Sequence, residues 1–187
     1  MDQTPFLLDF TIGEKAAVAE DGTGLVLRGY ASDFLPDRDL EYFSPGSFNR
    51  GLDKYLTTNP TLCFAHQRST GIGQVKSARI DEQGLWIEAH VSKPVPGTER
   101  EDIYNRIASG ELRGFSVGGL FTRDFDSVKN MPVITDVDLA EVSVVAVPAN
   151  QRTLFEVSTK ALADPNVTAL EAALEKLDTF IKRLSTP

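Results

Sequence analysis

A serine set between glycines, Gly114-Phe-Ser-Val-Gly118, is the first stretch of this chain whose residue types and spacing could do chemistry. Glycines beside a serine allow a sharp turn or the close approach of another strand. They also leave backbone N–H groups able to face a developing oxyanion. Ser116 would supply the attacking hydroxyl. A hydroxyl is a useful nucleophile only with a base to take its proton and a third group to orient that base. Taken alone, the pattern reads equally well as a glycine-kinked strand. The chemistry therefore depends on finding a histidine and an acid elsewhere.

The chain has two histidines, His66 and His90, and both precede Ser116. His66 closes the apolar run Thr61-Leu-Cys-Phe-Ala-His66, a short strand followed by a loop over Gln67–Gly73. A polar group at the end of a rigid element is well placed for function. His90 falls on the polar phase of the next strand and reads as a surface residue. Cys63 precedes His66 by three positions, so a regular strand points the two to opposite faces, and Cys63 reads as a buried thiol. Three acids could orient His66: Asp136, Asp138 and Glu141. The first two share one face of a strand, and Glu141 takes the other with Ser143 and Val145. An acid inside Leu139-Ala-Glu-Val-Ser-Val-Val145 is costly to bury unless paired. The order His, Ser, third group excludes the α/β-hydrolase arrangement, in which the serine comes first and its motif opens a helix. Here Val117–Thr122 continues as a strand.

The elements that must position these residues are mostly strands. Phe6, Leu8, Phe10 and Ile12 alternate, and Leu25, Leu27 and Gly29 resume after the turn Asp21-Gly-Thr-Gly24, which suggests a hairpin. Asp37-Arg-Asp-Leu-Glu41 is acidic but lacks the alternation and glycine of a calcium loop, so it reads as a solvated or substrate-facing loop. Ser44 and Pro45 suit the start of a short helix that buries Phe48, Leu52 and Tyr55. Strands follow over Ile72–Ile80 and Leu85–Val91, with a turn at Asp81–Gly84. An amphipathic helix runs from Thr98 to Ser109, with Ile103 and Ile107 facing inward. A polar segment over Arg123–Met131 leads to the β-branched run Val133–Val147. After Lys160, Val167, Leu170, Leu174, Leu177, Ile181 and Leu184 mark one face of a helix.

These patterns predict an α+β fold, mainly an antiparallel β-barrel flanked by a few helices, with a C-terminal amphipathic helix. Residues 1–158 would form the barrel domain and 159–187 a linker and helix. The 187 residues suit one such domain, and 41% apolar residues can fill a core. A net charge of −8 argues against general nucleic-acid binding. A single cysteine excludes an intramolecular disulfide. No apolar run approaches the ~20 residues of a membrane helix, and the first residues do not read as a secretory signal. No cofactor or metal site is expected.

The segments Gly29-Tyr-Ala31, Phe43-Ser-Pro-Gly-Ser-Phe48, Gly71-Ile-Gly-Gln-Val75, Gly84-Leu-Trp-Ile-Glu88, Gly114-Phe-Ser-Val-Gly118 and Leu139-Ala-Glu-Val-Ser-Val-Val-Ala-Val-Pro-Ala-Asn150 occur in this order. Together they resemble the HK97-type prohead proteases of tailed bacteriophages, which are related in fold to herpesvirus assembly proteases. The resemblance spans residues 24–157. It implies Ser116 as nucleophile and His66 as general base. It implies Glu141 as the orienting acid, because Glu141 follows Ser116 by 25 residues, the interval of the third catalytic residue in that group. Backbone groups near Val117 and Gly118, or groups around Asn150–Arg152, would form the oxyanion hole. The implied activity is a serine endopeptidase inside the immature prohead, in the host bacterial cytoplasm. It would cleave the scaffold protein, segments of the major capsid protein, and itself, with self-association as a further option. Ser158–Asp164 offers a self-cleavage region, and the C-terminal helix a docking segment for the assembling shell. The competing readings are a non-enzymatic β-barrel module for assembly or scaffolding, and an esterase built on the same serine.

Overall fold

Leu85, Ile87, Ala89 and Val91 are buried while Trp86, Glu88 and His90 between them are half-buried, so one face of this segment meets the core. The same period-two logic builds most of the chain. The computed structural model describes residues 24–157. The elements are β1 (Gly24–Asp33), β2 (Tyr42–Phe43), α1 (Asn49–Thr58), β3 (Thr61–Phe64), β4 (Gln67–Ile80), β5 (Gly84–Ser92), α2 (Glu99–Ala108), β6 (Gly114–Asp126), β7 (Met131–Val145) and β8 (Phe155–Val157). The expected first strand of the N-terminal hairpin, the 158–164 linker and the C-terminal helix lie outside the described residues.

Strand β7 organises the sheet. Antiparallel β6 covers one edge along nearly its whole length, from Gly114↔Val145 to Asp126↔Met131. The other edge is shared by β2, parallel at Val133 and Ile134, and β3, parallel at Val142–Val144. From β3 the path continues through β4, β5 and β1 to β8. Parallel pairs need a long crossover connection, and here it runs from β3 to β7 through β4, β5, α2 and β6, while α1 links β2 to β3.

The closed barrel expected from sequence is corrected. Among the described residues the sheet is open, and its two ends meet only at the isolated bridge Gly114↔Leu154. Phe115 N–H donates to Thr153 O at 2.8 Å and Phe155 N–H to Arg113 O at 2.9 Å, and no continuous ladder joins β6 to β8. The backbone around Leu154 is a short junction after a loop, too brief to zip shut. The mixed, strand-rich α+β class holds, with two helices among the described residues.

Other boundaries also move. Helix α1 starts at Asn49, because Ser44–Ser47 first makes a turn, with Ser47 N–H on Ser44 O at 3.0 Å and Gly46 at φ +91°. Phe48, Leu52 and Tyr55 are buried as expected. Gln67–Gly73 is strand rather than loop: its exposed polar side chains hide a β3–β4 hairpin arm. The polar segment after Arg123 likewise continues β6 as far as Asp126, in an exposed ribbon paired with β7. The core gathers Leu27, Leu62, Ile87, Ile103, Ile107, Phe115, Val142 and Phe155. Phe115 and Phe155 pack with ring centroids 4.5 Å apart. Each such side chain contributes about 1.5–3 kcal/mol by leaving water.

Candidate active site

The β6–β7 register sets Ser116 directly opposite Ser143 and Gly118 opposite Glu141. Residues two apart on a strand share a face, so these four positions form a square on one side of the sheet. The intervening Phe115, Val117, Val142 and Val144 face the core. This alternation explains how a nucleophile candidate can sit against a fully buried layer.

The glycines of the motif serve close approach, not a turn. Gly118 lacks the positive φ of a tight turn, but a Cβ there would land on Glu141 Oε1. At Gly114 a Cβ would meet Pro148 Cδ at 2.8 Å. Gly118 is therefore the space into which the Glu141 carboxylate folds.

His66 lies at the tip of the β3–β4 hairpin. Phe64 pairs with Gln67, leaving Ala65 and His66 as a two-residue turn with φ 50° and 60°. Two positive φ angles are what a tight hairpin of this kind requires. For residues other than glycine such angles cost about 1–2 kcal/mol each. The tip is tied down by bonds to β7: Ala65 N–H to Val144 O at 2.9 Å and His66 N–H to Ser143 Oγ at 3.0 Å. The imidazole Nδ1 lies 2.8 Å from Glu141 Oε1. Facing a carboxylate, Nδ1 carries the proton, which leaves the Nε2 lone pair free to act as a base.

The Glu141 side chain is only 3% exposed, against 47% for His66. Burying a carboxylate is costly without partners. Glu141 has two: His66 on Oε1, and the Ser143 hydroxyl, which donates to Oε2 at 2.5 Å. The hydrogen bond to Glu141 raises the His66 pKa above its ordinary 6.5, against the effect of burial and with the help of the carboxylate's charge. Burial, then the Glu141 charge, pushes up the Cys63 thiol, so Cys63 stays protonated beside the site as an inert residue.

Of the acids expected from sequence, only Glu141 reaches His66. Asp136 pairs with Arg50, and Asp138 takes Lys54 Nζ at 2.8 Å, both on α1. His90 is not the surface residue expected: it is half-buried, and its Nε2 is buried with no hydrogen-bond partner among the described residues.

Ser116 and His66 line one cavity of about 330 Å³, together with Gly118, Phe43, Asp39 and Asn150. Asp37 and Glu41 also contribute, so the acidic loop does face the site. The Asn150 side chain is already engaged: its amide nitrogen donates to Asp33 Oδ1, and its oxygen accepts Arg152 N–H at 3.0 Å. Asp33 is 1% exposed and also bound by the Arg152 guanidinium. Burial drives the Asp33 pKa up, but the bonds from Arg152, Asn150 and the Leu35 N–H outweigh this and hold it below 3.8. The pair braces the loop that forms one wall of the cavity. Sequence reasoning missed this pair and the Ser143 hydrogen bonds to Glu141 and His66. For Ser143 a signal existed, since it shares a strand face with Glu141.

A family model described as Caudovirus prohead serine protease matches residues 12–166. The prohead protease of Escherichia phage T5 is 30% identical over 162 residues, covering 84% of this chain and 74% of that protein. Among solved structures, the bacteriophage T4 capsid assembly protease gp21 superposes with a TM-score of 0.55 at 14% identity, covering 67% of this chain and 84% of that one. The KSHV protease gives a TM-score of 0.46 at 16% identity over 72% of this chain and 65% of that one. The T4 enzyme thus shares the fold, and the match to the family model covers most of the sequence. The chain belongs to the Caudovirus prohead serine protease family.

Proposed function

We propose that this peptidase is a serine endopeptidase of prohead maturation, with Ser116 as nucleophile, His66 as general base and Glu141 as the acid that orients it. The observation that carries this reading is the 2.8 Å contact between His66 Nδ1 and a buried Glu141, in a cavity that Ser116 also lines. Ser116 Oγ attacks the scissile carbonyl carbon and its proton passes to His66 Nε2. The resulting imidazolium protonates the leaving amine, leaving an acyl-enzyme. A water then gives a proton to His66 and its oxygen to the acyl carbon, and the hydroxyl of Ser116 is restored. Glu141 stays ionised throughout, holding the tautomer and stabilising the imidazolium. Backbone N–H groups near Val117 and Gly118 are the proposed oxyanion donors, since the Asn150 side chain is committed to Asp33 and Arg152.

The proposed substrates are segments of the major capsid protein and the scaffold protein, cut inside the immature shell, and the enzyme's own chain. Membership of a family of capsid proteases supports this choice. Purified wild-type protein incubated with precursor capsid protein is expected to cut it. Ser116→Ala should fold normally and lose at least about 10³-fold in rate. Equal cleavage by both proteins rejects Ser116 as nucleophile.

A further inference from the structure

Ser143 is fully buried, and its hydroxyl sits between the two halves of the relay. Its O–H donates to Glu141 Oε2 at 2.5 Å, and its oxygen accepts the backbone N–H of His66 at 3.0 Å. The other carboxylate oxygen, Oε1, meets the His66 ring. The terminal torsion of a glutamate is soft, so a free carboxylate would rotate. Holding Oε2 fixes the direction in which Oε1 points. The backbone of His66, at φ 60° on a two-residue turn, is held by that same hydroxyl. One side chain therefore sets both ends of the 2.8 Å contact between the imidazole and the carboxylate.

The hydroxyl does not act on Ser116 itself. Ser116 lies directly opposite in the β6–β7 register, but the Ser143 proton is committed to Glu141. Resting on the reading of His66 as the base for Ser116, we propose that Ser143 is a positioning residue, which aims the Glu141 carboxylate at His66 Nδ1 and clamps the hairpin tip that carries the imidazole.

The test measures how fast an aryl fluorophosphonate labels the serine, and follows the His66 ring N–H by NMR. Ser143→Ala should slow labelling about 10- to 100-fold, the effect of losing one hydrogen bond to a charged group. It should also expose the Nδ1 proton to rapid exchange with water. Ser143→Thr, which keeps the hydroxyl, should recover both. Labelling of Ser143→Ala at the wild-type rate, or an unaltered ring N–H signal, overturns the proposal. Where Ser143→Ala does not fold, the isosteric pair Ser143→Thr and Ser143→Val decides: faster labelling of the threonine variant supports the proposal, and equal rates overturn it. The two readings fail separately. Labelling that persists in Ser116→Ala sinks the nucleophile assignment, while the ring N–H signal, which needs no catalysis, still decides on Ser143.

Discussion

His66 can accept a proton from Ser116 only when it is neutral. Its hydrogen bond to Glu141 raises its pKa above 6.5, so the acidic limb of the pH–rate profile should lie above pH 6.5. Rate rises with pH through that value as the ring loses its proton. Glu141→Gln removes the charge, so the limb should move down toward pH 6.5 and the plateau should fall. A limb unmoved by that substitution separates His66 from Glu141. The same shift has a sign for stability. A histidine pKa raised on folding adds stability that is complete below the unfolded value and fades as pH rises through the folded one. Gly118 tests the site from the other strand. Gly118→Ala drives a methyl group into Glu141 Oε1. Displacing the carboxylate on that scale should cost on the order of 10²-fold in cleavage rate. Steady-state kinetics on protein shown by circular dichroism to be folded would check this.

The β3–β4 hairpin shows how an element can be built for its site at some expense to itself. Its turn residues, Ala65 and His66, both take positive φ, where glycine or asparagine is the relaxed choice. Bonds to β7 compensate, at Ala65 N–H and His66 N–H. Ala65→Gly should therefore stabilise the protein, by about 0.5–1 kcal/mol after allowing for glycine's larger unfolded-state entropy. Urea denaturation would measure it, and a loss of stability would mean that the turn is not strained at Ala65. The hairpin also shows why the loop reading of Gln67–Gly73 failed. The arm protrudes, so Gln67, Arg68 and Ser69 are exposed and show no apolar alternation to read.

Across the molecule, β7 is the strand on which the site is assembled. It presents Glu141 and Ser143, carries β6 with Ser116 on one edge, and takes β3 with the His66 turn on the other. A second long-range link, Asp33 with Arg152 and Asn150, fastens the end of β1 to the loop before β8. Removing the cation from a buried carboxylate costs about 3–5 kcal/mol. Arg152→Ala should fall at the lower end, because the Asn150 and Leu35 bonds remain. Thermal unfolding would read the change. The Asp33 pKa is held below 3.8, so this stability is present above that pH and disappears as pH falls through the folded value. The variant should accordingly lose much of the wild type's sensitivity to acid in that range.

Local periodicity survives in a sequence, and so the chain alone determined its strands at Leu85–Val91 and around Ser116, and the buried face of α1. It also placed Glu141 and Ser143 on one face, because alternation along a strand needs no partner. The choice among Asp136, Asp138 and Glu141 was different. Which of them lies against His66 was set by α1, whose Arg50 and Lys54 take the first two, and by a register that joins residues 75 apart in the chain. Tertiary structure alone also showed that Gly118 is glycine to admit a carboxylate, that the sheet stops short of a barrel among the described residues, and that the Ser143 hydroxyl bonds both His66 and Glu141. Each of these depends on distances between strands, which side-chain order along one strand does not encode.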